Sequence, residues 1–419
     1  MEVSKMLARI VAAATVLLLA VFSVGTPVSA QQVIAVHNFG NHSRALTDGE
    51  TPYASVVFDA SGNLYGTTFH GGAYHYGTVY ELSPQPGGGW TEKVLHSFDV
   101  NPTDGRNPFS VIVLDTSGNL YGTTALGGAY GGGTVFELMR TAGGNWTEKI
   151  LHSFQKNGQD GVYPQSGLIF DASGNLYGTT PRGGSYGWGT VFELSPGTGG
   201  SWSETILYQF DNQGADAYLP FAALIFDASG NLYGTTEGGG AYNAGTVFEL
   251  SPASGGAWNE QILYSFNTSD SAGYTPLAGV IFDAKGNLYG TTSAGGAYLG
   301  GTAFELTPAA GTWSLNVLAS LANNTLPPRG PSTYAGLVFD AAGNLYGATA
   351  YGGNFYAEGS VFELQLLADG NWFYKELYNS GYFGTNPYDT PIVDKAGNLY
   401  VTASDGGSYT VGTVIEITP

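Results

Sequence analysis

One phrase governs what this chain can fold into. Asp-x-x-Gly-Asn-Leu-Tyr occurs seven times, beginning at Asp59, Asp115, Asp171, Asp227, Asp283, Asp340 and Asp394, at intervals of 56, 56, 56, 56, 57 and 54 residues. Each unit contains four short stretches rich in Val, Ile, Phe, Tyr and Thr, separated by turn residues. In the third unit these are 167–170, 175–180, 189–194 and 202–210. Such composition, with no helical period, predicts β-strands. Asp171-Ala-Ser-Gly-Asn175 between the first two reads as a tight hairpin turn, since Asp bonds nearby amides and Gly supplies a positive φ.

Seven units of four strands predict an all-β, seven-bladed β-propeller. The competing architecture is a linear β-solenoid, whose end repeats need caps. The ends of the sequence separate the two. The last unit has 391–394, 398–402 and 412–417, then stops before a fourth strand, whereas Val33-Ile-Ala-Val-His-Asn-Phe39 matches the fourth-strand segment Lys93-Val-Leu-His-Ser-Phe98. The first strand therefore completes the last blade and closes a ring. Repeats start near 53, 109, 165, 221, 277, 334 and 388, and residues 31–419 form one propeller.

Before the repeats, Lys5 and Arg9 precede the apolar run 10–24 and a small-residue segment ending at Ala30. This is the pattern of a secretory signal peptide covering residues 1–30, and the run is short of the roughly 20 residues a spanning helix needs. A secreted, periplasmic or cell-surface protein without stable membrane insertion is expected, as a monomer. Zero Cys removes disulfide frameworks, thiolate metal sites and a Cys nucleophile. The formal charge of −20 argues against nucleic acid and anionic membranes as partners.

A sevenfold repeat contains its own control: residues present in every blade build blades, and only exceptions build a unique site. The turn Asp, the Gly-Asn-Leu-Tyr and the Glu of Thr-Val-Phe-Glu-Leu (Glu81, Glu137, Glu193, Glu249, Glu305, Glu363, Glu416) belong to the first class. Those carboxylates either bond strand or turn groups between blades, which is the expectation because buried charges need partners, or are solvated strand positions. The Trp opening six fourth strands (Trp90, Trp146, Trp202, Trp258, Trp313, Trp372) reads as packing, and His37, His96 and His152 share one strand register and read as structural.

Propeller topology places the loops between blades and the loops between second and third strands on one face, and here those are the long ones. Gly-Gly-Ala-Tyr or a similar phrase in the latter puts Tyr74, Tyr130, Tyr186, Tyr242, Tyr298, Tyr356 and Tyr409 around one rim. They are either stacking surfaces for a sugar or peptide or rings folded back between blades. Four inter-blade loops carry Asp48, Asp104, Asp160 and Asp216 before a Pro. These are candidates for a calcium-attracting arc or for ordinary turns. Among the exceptions, His42, His70 and His75 fall in loops of the first blade and form a candidate cluster. Arg182 and Trp188 break the pattern in the third blade, Glu237 and Asn243 in the fourth and Glu358 in the sixth. Arg182 beside Trp188 suits an anionic or sugar ligand.

No nucleophile elbow, zinc-protease helix, phosphate loop or dinucleotide fingerprint is present. The expected role is a non-enzymatic binding module for carbohydrate or protein, with no cofactor and no assigned metal. The alternatives are an extracellular propeller hydrolase or lyase acting on a glycan or lactone, or a structural surface protein.

The unit Leu-Ile-Phe-Asp-Ala-Ser-Gly-Asn-Leu-Tyr-Gly-Thr-Thr, followed by Gly-Gly-x-Tyr-x-x-Gly-Thr-Val-Phe-Glu-Leu, resembles the GloVer-type tandem repeat of secreted bacterial proteins over nearly all of 31–419. The sixth unit departs at Gly347-Ala-Thr349 and the seventh at Val401-Thr-Ala403. The resemblance implies an exported surface or extracellular protein and carries no catalytic residues.

Overall fold

The computed structural model describes residues 31–40, 48–214, 216–309, 311–322, 333–352, 358–381 and 383–419. Residues 1–30, read above as a signal peptide, and His42 and Tyr356 lie outside them. Seven antiparallel sheets follow one another as blades, each ordered from first to fourth strand. In the third blade the strands are Ile169–Phe170, Leu176–Thr180, Thr190–Pro196 and Trp202–Gln209. The first strand is only two residues long, shorter than its apolar run implied, because the residues before it bend into the centre of the ring.

Ring closure follows the expected route. Gln32–Asn38 pairs antiparallel with Thr413–Thr418, from Gln32 opposite Thr418 to Asn38 opposite Thr413. Near the axis, the first Thr of each Gly-Thr-Thr donates to a carbonyl of the next blade: Thr67 to Ser110, Thr123 to Ser166, Thr179 to Ala222, Thr235 to Ala278 and Thr291 to Ala335. Thr402 donates to the Ala54 carbonyl at 2.9 Å and closes the circle. Ala348 stands where the sixth blade would supply this hydroxyl.

The core lies between blades. The Phe ending a fourth strand is fully buried and meets the third-strand aromatic of the following blade edge-on: Phe39 with Tyr80, Phe98 with Phe136, Phe154 with Phe192, Phe210 with Phe248 and Phe266 with Phe304, at 5.0–5.4 Å. Such contacts add to the burial of each ring, worth about 1.5–3 kcal/mol. The six repeated Trp pack against these inter-blade clusters as expected.

At the far end of each blade the repeated phrase forms a clamp. Asp171 Oδ1 accepts from the amides of Ser173 and Asn175, and its Oδ2 accepts from Asn175 Nδ2 and the Tyr177 hydroxyl. Gly174, at φ +85°, lets the chain reverse. The repeated Glu joins this clamp: Tyr65 donates to Glu81, Tyr121 to Glu137, Tyr289 to Glu305 and Tyr346 to Glu363. These bonds lie within a blade, not between blades as expected, because the two residues face each other across the second and third strands, as Tyr121 does Glu137.

Candidate functional site

The long-loop face has a funnel at its centre, a cavity of about 310 Å³. It is built by the residues that begin each repeat. In six inter-blade loops a Pro ring packs on the Gly preceding Thr-Val or its equivalent in the previous blade. Pro108, for example, lies where a Cβ on Gly77 would stand 2.7 Å from it, and Pro164 does the same at Gly133. Both glycines have φ near +100°, so neither position suits another residue. The Pro thus fixes the chain, and the residue after it points to the axis. Around the ring the residues at this position are Tyr53, Phe109, Gln165, Phe221, Leu277, Tyr334 (which follows Thr333 where the others follow a Pro) and Tyr388, and all seven line the funnel.

Their chemistry is lopsided. Tyr53 stacks on Phe109 at 5.0 Å and meets Tyr388 edge-on at 5.1 Å, and Tyr388 lies 4.9 Å from Tyr334. The Tyr351 and Tyr388 hydroxyls are 2.7 Å apart. Phe69 supports this wall from behind, against Tyr53 and Phe109. The opposite side holds Gln165, Phe221, Leu277 and the carboxyl of Glu237. Burial pushes the Glu237 carboxyl up, while the charge of Arg182 pulls it back. Burial also raises the hydroxyls of Tyr53, Tyr334 and Tyr388, assisted by Asp405, Tyr351 or each other. Those three tyrosines therefore stay protonated and act as hydrogen-bond donors. Asp389, half-buried, lines the cavity beside them, its carboxyl raised by desolvation and its Oδ2 taking the Ser55 amide at 2.8 Å.

Arg182 and Trp188 come together as anticipated: the exposed guanidinium lies over the indole, 5.8 Å from its centroid. Trp188 leans on Tyr218 at 5.1 Å, and Tyr218 donates to Asn243. Arg182 thus connects the rim to Glu237. The rim tyrosines are not folded back. Tyr74, Tyr130, Tyr186, Tyr242, Tyr298 and Tyr409 are 44–64% exposed, because consecutive Gly residues in left-handed conformations carry each loop outward. His70 and His75 are both exposed, and neither belongs to a group of converging histidines and carboxylates among the described residues.

Asp48, Asp104, Asp160 and Asp216 do not form an arc. Each sits at a separate blade interface and organises its own loop, as where Asp104 accepts the Asp99 amide and Asp160 the Gln155 amide. Each also faces a residue of the preceding fourth strand: His37 near Asp48, His96 near Asp104, His152 near Asp160 and Tyr208 bonded to Asp216. A glutamate of the following fourth strand completes the group, Glu92, Glu148, Glu204 or Glu260. Burial pushes the Glu148 and Glu204 carboxyls up, and burial with Asp216 beside it takes Glu260 to about 9. For His96 and His152, burial pulls the imidazole down, but the neighbouring carboxylates outweigh it and raise both.

The funnel-lining residues were missed in the sequence because they mark where repeats begin. The available signal was their variation after a repeated Pro.

The profile of the Gloeobacter/Verrucomicrobia repeat matches residues 20–240 and 223–419. No curated protein matches the chain. Among solved structures, one similar chain is PorZ, an essential bacterial surface component of the type-IX secretion system of Porphyromonas gingivalis. The likeness has TM-score 0.50 and 16% identity, covering 88% of this chain and 47% of that one. This chain thus spans about half the length of PorZ. A second is an ulvan lyase of polysaccharide lyase family PL25, with TM-score 0.54 and 11% identity, covering 88% and 94%. The same lyase is known bound to -[GlcA(1-4)Rha3S]-. At such identities the likeness is one of fold. Among the described residues no helix is long and apolar enough to cross a membrane.

Proposed function

The chain belongs to the Gloeobacter/Verrucomicrobia repeat family, and from the funnel that its repeats enclose we propose that it is an exported, monomeric carbohydrate-binding propeller that holds a glycan at the centre of its long-loop face without cleaving it. The observation that carries this reading is the lopsided lining: an aromatic wall of Phe109, Tyr53, Tyr388 and Tyr334 facing Gln165 and Glu237. Flat amphipathic rings suit the apolar faces of pyranoses, and a few convergent polar groups set orientation. Arg182 above Trp188, and the outward rim tyrosines, extend the contact surface toward a longer chain.

Binding is favoured over elimination or hydrolysis by the state of the tyrosines. A lyase needs a base that accepts a proton near the operating pH. The funnel tyrosines are shifted the other way, and among the described residues no histidine lines the cavity. Two carboxyls, Glu237 and Asp389, line the cavity; glycoside hydrolysis needs such a pair free to act as acid and base or nucleophile, whereas Asp389 Oδ2 is taken up by the Ser55 amide.

The test is a glycan array on residues 31–419, followed by calorimetric titration of each hit against Glu237→Gln and Tyr334→Ala. Each variant should weaken binding about tenfold or more, in line with the loss of roughly 1.4 kcal/mol of contact. Unsaturated or reducing-end products would replace this reading with the enzymatic one. Retained binding in both variants would move the site off the funnel.

A further inference from the structure

The three histidine-centred groups at successive blade interfaces are built alike, and the fourth shows what they are not. Where Tyr208 replaces the histidine, its hydroxyl lies 3.1 Å from Asp216 Oδ1 and 3.2 Å from Glu260 Oε2, within hydrogen-bond reach of both. In the other groups the imidazole Nε2 stands farther off: 3.6 Å from Asp48, 3.6 and 3.7 Å from Asp104 and Glu148, 3.3 and 3.5 Å from Asp160 and Glu204. All donor atoms in each group lie within 4.8 Å of one another. At the second and third groups, His96 Nε2, Asp104 Oδ1, Glu148 Oε1, Asp160 Oδ1 and Glu204 Oε1 are buried without a hydrogen-bond partner; Glu260 Oε1 of the fourth group shares this, but both oxygens of Asp216 are bonded there. The Asp104 and Asp160 side chains are only 8% and 7% exposed. Buried polar atoms left unbonded carry a cost that a bound group would remove.

We propose that His37–Asp48–Glu92, His96–Asp104–Glu148 and His152–Asp160–Glu204 are three equivalent zinc sites, each joining one blade to the next. Tetrahedral zinc with bonds of about 2.0–2.2 Å to imidazole nitrogen and carboxylate oxygen separates its ligands by roughly 3.3–3.6 Å. The observed 3.3–3.7 Å agrees with that spacing, and only the 3.3 Å contact of His152 with Asp160 counts as a hydrogen bond. Two carboxylates and a neutral imidazole around a dication also give a group with no net charge, which burial favours. Calcium prefers six to eight oxygens, and magnesium retains most of its water, so one nitrogen and two carboxylates suit neither. The aspartates are already aimed, because the Asp99 and Gln155 amides hold Asp104 and Asp160 in place. The histidine side chains retain 17–20% exposure, which leaves a route for the ion and room for a water as fourth ligand.

Stripping residues 31–419 with EDTA and titrating with zinc chloride by calorimetry should give three equivalents per chain, with a melting temperature that rises as zinc is added. His96→Tyr and His152→Tyr each install the residue that the fourth interface carries naturally, so both variants should fold. Each should lower the stoichiometry by one, and the double variant should bind a single ion. His70→Ser with His75→Ser should leave all three. No zinc uptake by the stripped protein, or three equivalents retained in the double tyrosine variant, overturns the proposal. Because these groups lie between outer strands, glycan binding in the funnel succeeds or fails independently of the result.

Discussion

The two ends of every blade obey opposite rules. At the turn end, the same clamp of Asp, Gly and Asn recurs from Asp59 to Asp394, with the Asp-to-Asn bonds repeated at 2.8–3.0 Å. At the funnel end, the seven equivalent positions carry Tyr, Phe, Gln, Phe, Leu, Tyr and Tyr. A turn must satisfy the same backbone seven times, so identical residues solve it. A pocket on the axis is touched by all seven blades at once, and a ligand without sevenfold symmetry requires them to differ. Sameness therefore marks scaffold, and difference marks the site.

The sharpest way to break this comparison is to damage the scaffold and watch the site. Asp171→Ala removes the acceptor of four hydrogen bonds in the third blade. Bonds to a charged group are each worth about 1.5–3 kcal/mol and are not additive, so a loss of roughly 2–4 kcal/mol is expected by urea unfolding. Glycan affinity well below the melting temperature should change less than twofold. If affinity fell with stability, the two ends would not be separate systems.

How far this division was legible in the sequence depends on what repetition can encode. The sevenfold register, the ring closed by 33–39 and the turn clamp all follow from local patterns that recur, and each was readable. Arg182 and Trp188 were readable as exceptions to the pattern. The funnel wall was not, because Tyr53 and its equivalents are adjacent only through closure of the ring. The interface groups failed for a related reason. His152 meets Asp160 eight residues on and also Glu204 in the following blade. A repeat reveals which residues are equivalent, but not which of them touch. The rim tyrosines left two readings open, since Gly-Gly-x-Tyr permits a loop to fold inward or outward. The left-handed glycines, such as Gly71 and Gly72 at φ +78° and +77°, decide it.

The fourth interface sharpens the comparison through pH. Glu260 is buried beside Asp216, which raises its carboxyl from 4.5 to about 9. The folded protein therefore holds a proton that the unfolded chain releases above its ordinary carboxyl range. This contribution to stability is complete below pH 4.5 and is lost as pH climbs through 9. Glu260→Gln keeps the shape and removes the ionisation. It should leave stability nearly unchanged at pH 5 and raise it relative to the parent by an amount that grows as pH climbs toward 9. Equal stability of variant and parent across that range, measured by urea titration at several pH values, would mean that water reaches this carboxyl freely.

The smallest effect belongs to the rim, which is repeated like scaffold yet exposed like a site. Tyr186 is 59% exposed at the tip of its loop, so Tyr186→Ser should shift stability by less than about 0.5 kcal/mol. If the rim only guides a long glycan toward the funnel, binding of a disaccharide should be untouched, while a longer oligosaccharide should weaken about two- to threefold, from one lost ring contact of roughly 0.5 kcal/mol. Titrating both lengths against the same variant separates the possibilities. A large loss for the short ligand would place a binding contact at the rim, and identical positions would then be doing the work assigned to different ones.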